Sequence, residues 1–213
     1  MTSEGRLPAR LRIAVAFAMV LAWAGGAALS RRVGFWTGLG STALVLGALS
    51  LVMDRRLRSE LSPTVRILGF GAVGGTLLAV ATWTLYPVLA RLVPGVTGEK
   101  IGLYAEFSTL SRLTAAILLP LIVVAEELVW RGLISNWLWP GRSVGRALRI
   151  ASVATLYGMA TLPSGSPLLA FAAFACGLVW SWLREFTDSV LAAATCHFVW
   201  AVLILFVHPV RLG

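Results

Sequence analysis

Long apolar runs recur along almost the whole chain, and they constrain its fold more than any other feature of the sequence. Of the 213 residues, 58% are hydrophobic and 13% are charged, and the mean hydropathy is +0.86. Soluble domains of this size do not carry such a composition. A helix crosses a hydrocarbon core with roughly 20 apolar residues, and no strand-length alternation indicates a barrel. We therefore predict an all-α fold, a polytopic helical membrane protein.

The apolar runs divide the chain into about seven predicted transmembrane helices. No period of 20 to 50 residues repeats, and no long polar linker separates the runs, so a single integral membrane domain over 1–213 is expected. Within it, 1–108 holds the N-terminal spans and a polar loop, and 109–207 holds a core that bears the motifs described below. The predicted spans are 13–29, 35–53, 67–89, 113–137, 150–162, 168–183 and 190–207.

The formal net charge of +9 comes from basic residues that concentrate in alternate loops. In a membrane protein such loops report topology, so nucleic acid is not an expected partner. The positive-inside rule favours a cytoplasmic N-terminus. Almost every basic residue is Arg, which together with abundant Ala and Gly suggests a GC-rich bacterial genome and the inner membrane. The loops on the predicted cytoplasmic side carry Arg6, Arg10, Arg12, Arg55, Arg56, Arg58, Arg66, Arg142, Arg146, Arg149 and Arg184.

Two adjacent glutamates, Glu126 and Glu127, interrupt the apolar fourth span in the stretch "VVAEELVWRGLI". A charged residue at bilayer depth costs roughly 2.5 to 3.5 kcal/mol, so the pair requires an explanation. Glu127 lies four residues before Arg131, the favourable order for an ion pair on one helical face. Glu126 points about 100° away and is the carboxylate left for chemistry, as a general base. The alternative is that both only anchor helix packing.

Histidine and cysteine offer few further candidates. His197 lies in the middle of the last span, where its ring needs a partner, whereas His208 lies at the end of that span. Cys176 and Cys196 both fall inside spans, which makes a disulfide or a thiolate metal cage unexpected. A nucleophilic enzyme that pairs Cys176 with His197 across two helices is a less favoured alternative.

Two stretches of the C-terminal half resemble a known family. "EELVWRG" is similar to the first motif, E-E-x-x-x-R, of the CPBP intramembrane glutamic endopeptidases, also called the Abi family, which includes CAAX-prenyl proteases and bacteriocin-processing enzymes. "FACGLVWSWLREFTDSVLAAATCHFVWAVL" resembles the later stretch that ends on a helix with a motif histidine. The resemblance covers roughly 109–207. It implies that Glu126 activates water, that His197 acts at the oxyanion, and that Glu127 and Arg131 support them.

The sequence departs from the family pattern at two motif positions. In the second motif, F-x-x-x-H, Tyr157 takes the aromatic place and Thr161 stands where the histidine is usual. In the third, Ala201 follows His197 where Asn or Asp is usual. Two functions therefore stay open: an endopeptidase acting on a membrane-associated protein or peptide, and a non-catalytic relative that binds or regulates a membrane protein.

No cofactor and no metal are expected from the sequence. The resemblance points to two acids and one histidine at the site, a poor set of zinc ligands beside the usual three protein ligands and a water. The partners expected are therefore the lipid bilayer and a membrane-associated protein or peptide substrate.

Overall fold

The structure is a computed structural model that describes residues 7–139 and 143–210. These residues form helices joined by short connections, and no strand occurs among them. Several helices change locally to π-helical geometry without ending, and each of these is treated as one helix. The helices are α1 (Ala9–Val33), α2 (Trp36–Met53), α3 (Leu57–Glu60), α4 (Val65–Leu92), α5 (Val96–Phe107), α6 (Arg112–Leu138), α7 (Arg146–Thr161), α8 (Pro167–Thr187) and α9 (Val190–Val207).

Six of these helices are long and apolar enough to cross a membrane: α1, α2, α4, α6, α8 and α9. The prediction of an all-helical membrane protein is confirmed. The remaining predicted span, 150–162, falls on α7, which has only 16 residues and a length of roughly 24 Å. Its ends still reach both ends of the bundle. Arg149 near its start pairs with Glu185 near the end of α8, and the turn after it packs on α1.

Side chains and a tight turn define where the long helices of the bundle begin and end. The hydroxyls of Thr64, Ser111 and Ser166 accept hydrogen bonds from the first turns of α4, α6 and α8, respectively. Such caps are each worth about 1 kcal/mol. After α8, Asp188 adopts a left-handed conformation with φ of 52°, which turns the chain directly into α9. Consequently α8 and α9 lie side by side and antiparallel.

Two close helix contacts bring the motif-bearing helices together. A Cβ added at Gly47 of α2 would lie 2.6 Å from the Cβ of Ala125, the residue before Glu126. A Cβ added at Gly75 of α4 would lie 2.5 Å from the carbonyl oxygen of Cys196, the residue before His197. Small residues allow backbones to approach this closely in membranes. The packing of α2 on α6 and of α4 on α9 therefore sets the position of both motifs.

Candidate active site

Helix α6 changes from α-helical to π-helical geometry immediately after Glu127. The π-helical segment, Leu128–Ile134, contains Arg131 and is completely buried. Segments of this kind are frequent at functional sites. Glu126 is 5% exposed and Glu127 is 0% exposed. Glu126 lines a mostly apolar cavity between the helices, whereas Glu127 is not part of the cavity wall. The two carboxylates thus face different surroundings.

Glu127 binds two cationic or potentially cationic groups through one oxygen. Its Oε1 lies 3.3 Å from Nη1 of Arg131 and 2.9 Å from Nδ1 of His197. Because a carboxylate only accepts hydrogen bonds, Nδ1 of His197 carries the proton in this contact. The other ring nitrogen, Nε2, is then available to a ligand in the cavity that His197 also lines. The sequence placed Glu127 beside Arg131, but it did not indicate that His197 contacts Glu127 as well.

Glu126 is held by a tyrosine from α7. Its Oε2 accepts a hydrogen bond of 3.0 Å from the hydroxyl of Tyr157. Nδ1 of His197 lies 3.9 Å from the same oxygen, beyond hydrogen-bond distance. Tyr157, which takes the aromatic place of the second motif, therefore supplies a donor to the first glutamate.

The two substituted motif positions both line the cavity. Thr161 follows Tyr157 by one turn, donates to its carbonyl oxygen at 2.8 Å and accepts from Nε1 of Trp23 at 3.4 Å. Ala201 follows His197 by one turn and is 3% exposed. Both stand in the cavity wall together with Glu126 and His197. The histidine usual at position 161 and the Asn or Asp usual at position 201 would therefore face the same cavity.

One face of α8 organises Arg131, and sequence reasoning missed it. A Cβ added at Gly177 would lie 2.9 Å from Nη2 of Arg131, so glycine makes room for the guanidinium. The Trp180 ring lies 5.1 Å from the guanidinium carbon. Ser181 accepts from Nε of Arg131 at 3.3 Å, and Arg184 donates to the Arg131 carbonyl at 3.2 Å. The spacing 177, 180, 181 and 184 is that of a single helical face, a signal that the sequence contained.

Trp180 also orders the histidine. Its ring stacks on His197 with 3.7 Å between centroids and 16° between planes. The indole therefore contacts both His197 and Arg131, and it fixes the imidazole plane while Glu127 fixes its rotation. An indole face also attracts an imidazolium more than a neutral ring.

The charged groups of the cluster are not all paired with each other. Glu127 and Arg131 compensate each other, and a buried charge without such a partner is expensive in a low-dielectric setting. Glu126 has Tyr157 as its hydrogen-bond donor. When the imidazole of His197 carries protons on both nitrogens, Nε2 is a donor towards the cavity. The cluster can therefore present both a base and a hydrogen-bond donor.

The cavity beside this cluster has an accessible volume of about 180 Å³. Helices α2, α4, α5, α6, α7, α8 and α9 all contribute to its wall, which is mostly apolar. Its polar lining includes Glu126, Tyr157, Thr161, His197, Lys100 and Tyr104. A mostly apolar pocket with a few convergent polar groups is typical of a ligand site.

A second charged cluster lies where α7 begins and α8 ends, and the sequence did not reveal it. Glu185 is buried and ion-paired with Arg149. Arg184 lies 3.0 Å from Glu60 and also donates to the backbone of Arg131. Burial raises the pKa of Glu60, and Arg184 partly offsets that effect. Arg184 therefore connects this cluster to the candidate site.

The remaining candidates stand apart from the glutamate cluster. Cys176 and Cys196 are both buried and free, and no hydrogen bond between Cys176 and His197 is found in the described part of the chain. His208 lies at the end of α9, with its ring against Trp83. Within residues 7–139 and 143–210, no group of three or more His, Cys, Asp and Glu side chains is arranged to hold a metal ion.

Comparison with known proteins gives one family match. Residues 108–203 match the family model described as Type II CAAX prenyl endopeptidase Rce1-like. This range contains both glutamates, Arg131, His197 and the substituted positions, and it confirms the resemblance that the motifs suggested. Neither the curated proteins nor the solved structures gave a match.

Proposed function

We propose that this chain, which belongs through residues 108–203 to the Rce1-like type II CAAX prenyl endopeptidase family, is an intramembrane glutamic endopeptidase. The observation that carries the proposal is the position of Glu126. It is a buried carboxylate in the wall of an apolar cavity, it accepts a hydrogen bond from Tyr157, and it lies beside a histidine that another glutamate holds. A carboxylate kept in this way is suited to accept a proton from water.

In the proposed reaction, Glu126 takes a proton from a water molecule as the water oxygen attacks a peptide carbonyl. The carbonyl oxygen becomes negative, and N–H of His197 at Nε2 stabilises it. The proton on Glu126 then passes to the departing amine as the C–N bond breaks, which yields one carboxylic acid and one amine and leaves Glu126 as a carboxylate. A positioned base contributes about 10²–10⁴-fold to such a reaction, and one oxyanion donor about 10²–10³-fold.

Glu127 and Arg131 are assigned supporting roles. Glu127 accepts from Nδ1 of His197 and thereby directs Nε2 to the cavity. Arg131 compensates the charge of Glu127 at 3.3 Å. Tyr157 orients Glu126 in the same manner. These five side chains come from α6, α7 and α9, which explains why the helix contacts at Gly47 and Gly75 matter for the site.

The substrate is proposed to be a membrane-associated protein or peptide. The apolar wall of the cavity favours an apolar segment, and the polar groups converge only where Glu126 and His197 lie. We further propose that the protein lies in a bacterial inner membrane with a cytoplasmic N-terminus, because its arginines concentrate in alternate loops.

A non-catalytic binding protein is the second candidate, and two residues favour it. Thr161 cannot accept a proton at neutral pH as an imidazole does, and Ala201 has no donor for an oxyanion. Both occupy the cavity wall beside Glu126. A protein of this kind would hold a membrane segment in the cavity without cleaving it.

The substitution Glu126→Gln distinguishes the peptidase from the non-catalytic binding protein. Membranes from cells that contain wild type, Glu126→Gln or Glu106→Gln would be compared by quantitative mass spectrometry of protein termini, with the level of each variant measured. Glu106 is an exposed carboxylate of α5 and serves as the control. If the chain is a peptidase, specific protein termini that are present with wild type disappear with Glu126→Gln alone. Identical termini in all three, together with a phenotype on deletion of the gene, support the binding protein.

Restoration of the second-motif histidine tests the same mechanism from the opposite direction. Thr161→His places an imidazole in the cavity wall that contains Glu126, and a peptidase limited by the missing group should become faster by at least about 10-fold, within the range expected of a positioned base. Cleavage that stays undetectable in Thr161→His, with the variant folded, would count against a latent peptidase.

A further inference from the structure

Lys100, the single lysine of the chain, occupies an unusual place for an ammonium group. It lies on α5, is 6% exposed and forms part of the cavity wall. A lysine is almost never this buried without a charged partner. Among the described residues, no carboxylate is found within 4.0 Å of its Nζ, although the side chain lines the same cavity as Glu126.

The protein satisfies only part of the hydrogen-bonding capacity of Lys100. An ammonium has three donors, and Nζ donates one hydrogen bond, at 2.9 Å, to the carbonyl of Val210. The ring of Tyr86 lies 4.8 Å away and contributes a cation–π contact. Burial lowers the pKa of Lys100 from its ordinary value, which means that the surroundings do not fully compensate the charge. An anion in the cavity would supply both the missing acceptors and the missing charge.

Lys100 therefore adds a cationic side chain to a mostly apolar cavity wall that also carries Glu126 and His197. We propose that Lys100 binds a carboxylate of the peptide that occupies the cavity, and so determines which peptides are bound and in which direction. The proposal rests on the proposed function, because it concerns the substrate of that site. A charge-assisted hydrogen bond in a buried setting is strong enough to select among peptides.

Two contacts hold Lys100 at the C-terminal end of α9. Tyr104, one turn from Lys100, donates to the carbonyl of Ile204, and Lys100 itself donates to the carbonyl of Val210. Both acceptors follow His197 by two turns of helix or more. The ammonium therefore lies apart from His197 along the cavity wall, and a bound carboxylate would lie at that end of the cavity.

Binding of three matched peptides tests the proposal without turnover. The full chain with Glu126→Gln, purified in lipid nanodiscs, would be titrated with three fluorescent apolar decapeptides that are identical except for the position of a carboxylate. The first has a free C-terminal carboxylate, the second a C-terminal amide, and the third an amide with one internal Glu four residues from its end. We expect the carboxylate-bearing peptides to bind about 10- to 100-fold more tightly than the neutral one, as one charged hydrogen bond allows.

Two further variants assign that preference to Lys100. Lys100→Met, made in the same background, should lower the affinity for the carboxylate peptides to that of the amide. Arg112→Gln removes an exposed cation at the start of α6 and should retain the preference. Carbodiimide, which joins a carboxylate to an amine in contact with it, should link the peptide to Lys100, and peptide mapping identifies the residue. The first and third peptides distinguish a terminal carboxylate from a side-chain carboxylate.

Three results would overturn the proposal: equal binding of charged and neutral peptides, binding of none of them, or an equal loss for all three in Lys100→Met. The last would mean that Lys100 only ties α5 to the C-terminal segment. Failure of the proposed function looks different. If wild type binds the carboxylate peptides with the Lys100-dependent preference but does not cleave them, the peptidase is refuted and the carboxylate site stands.

Discussion

The ion pair between Glu127 and Arg131 should be strongly coupled to folding. Both side chains are 0% exposed, and their charged atoms lie 3.3 Å apart. At an effective dielectric constant of about 20, Coulomb's law gives about 5 kcal/mol for that distance. Removal of one partner from a buried pair typically costs about 3–5 kcal/mol of unfolding free energy, because the other charge is left uncompensated. We expect such a loss in Glu127→Gln, where Arg131 keeps only Ser181 and two aromatic faces.

A double-mutant cycle with Arg131→Met and the double variant extends this prediction. In Arg131→Met, Glu127 still holds His197, so the loss should be smaller than in Glu127→Gln. The double variant removes both charges and should be several kcal/mol more stable than the sum of the single losses predicts. Unfolding in mixed micelles, driven by added SDS and followed by tryptophan fluorescence, measures all four proteins, with Glu106→Gln as the control. Additive losses in the double variant would refute the coupling.

Four further predictions concern single positions. Trp180→Leu should lower the turnover number about 10-fold in a peptide-cleavage assay because His197 loses its stacking partner, whereas Trp182→Leu, exposed on the other face of α8, should not; equal effects would contradict a specific role. Ala201→Asn adds a donor one turn after His197 and should raise the cleavage rate by up to about 10²–10³-fold; an unchanged rate would argue against His197 at the oxyanion. Cys176→Ala should leave cleavage intact, and loss of cleavage would revive the thiol route. Because burial lowers the pKa of Lys100, the folded state releases that proton at lower pH than the unfolded chain, so the unfolding temperature of wild type should rise relative to that of Lys100→Met as the pH approaches the ordinary lysine pKa of about 10.4; a constant difference would contradict the shift.

The sequence by itself determined the helical membrane fold. Hydropathy depends only on local composition, so the long apolar runs were visible without tertiary information, and the spans of α1, α2, α4, α6, α8 and α9 follow from them. The spacing of Glu127 and Arg131 is equally local, because residues four apart share a helical face whatever surrounds the helix. The motif resemblance likewise needed only the order of residues.

Only the tertiary structure decided which groups meet across helices. The sequence did not show that His197 contacts Glu127 at 2.9 Å and lies 3.9 Å from Glu126, because that choice depends on how far α9 slides and rotates against α6. The same holds for Lys100, which charge patterning placed in a polar loop but which the packing of α5 on the cavity buries. A local pattern specifies which face of a helix is polar. The partner of that face is specified by packing, in which small residues such as Gly47, Gly75 and Gly177 set how closely the helices approach.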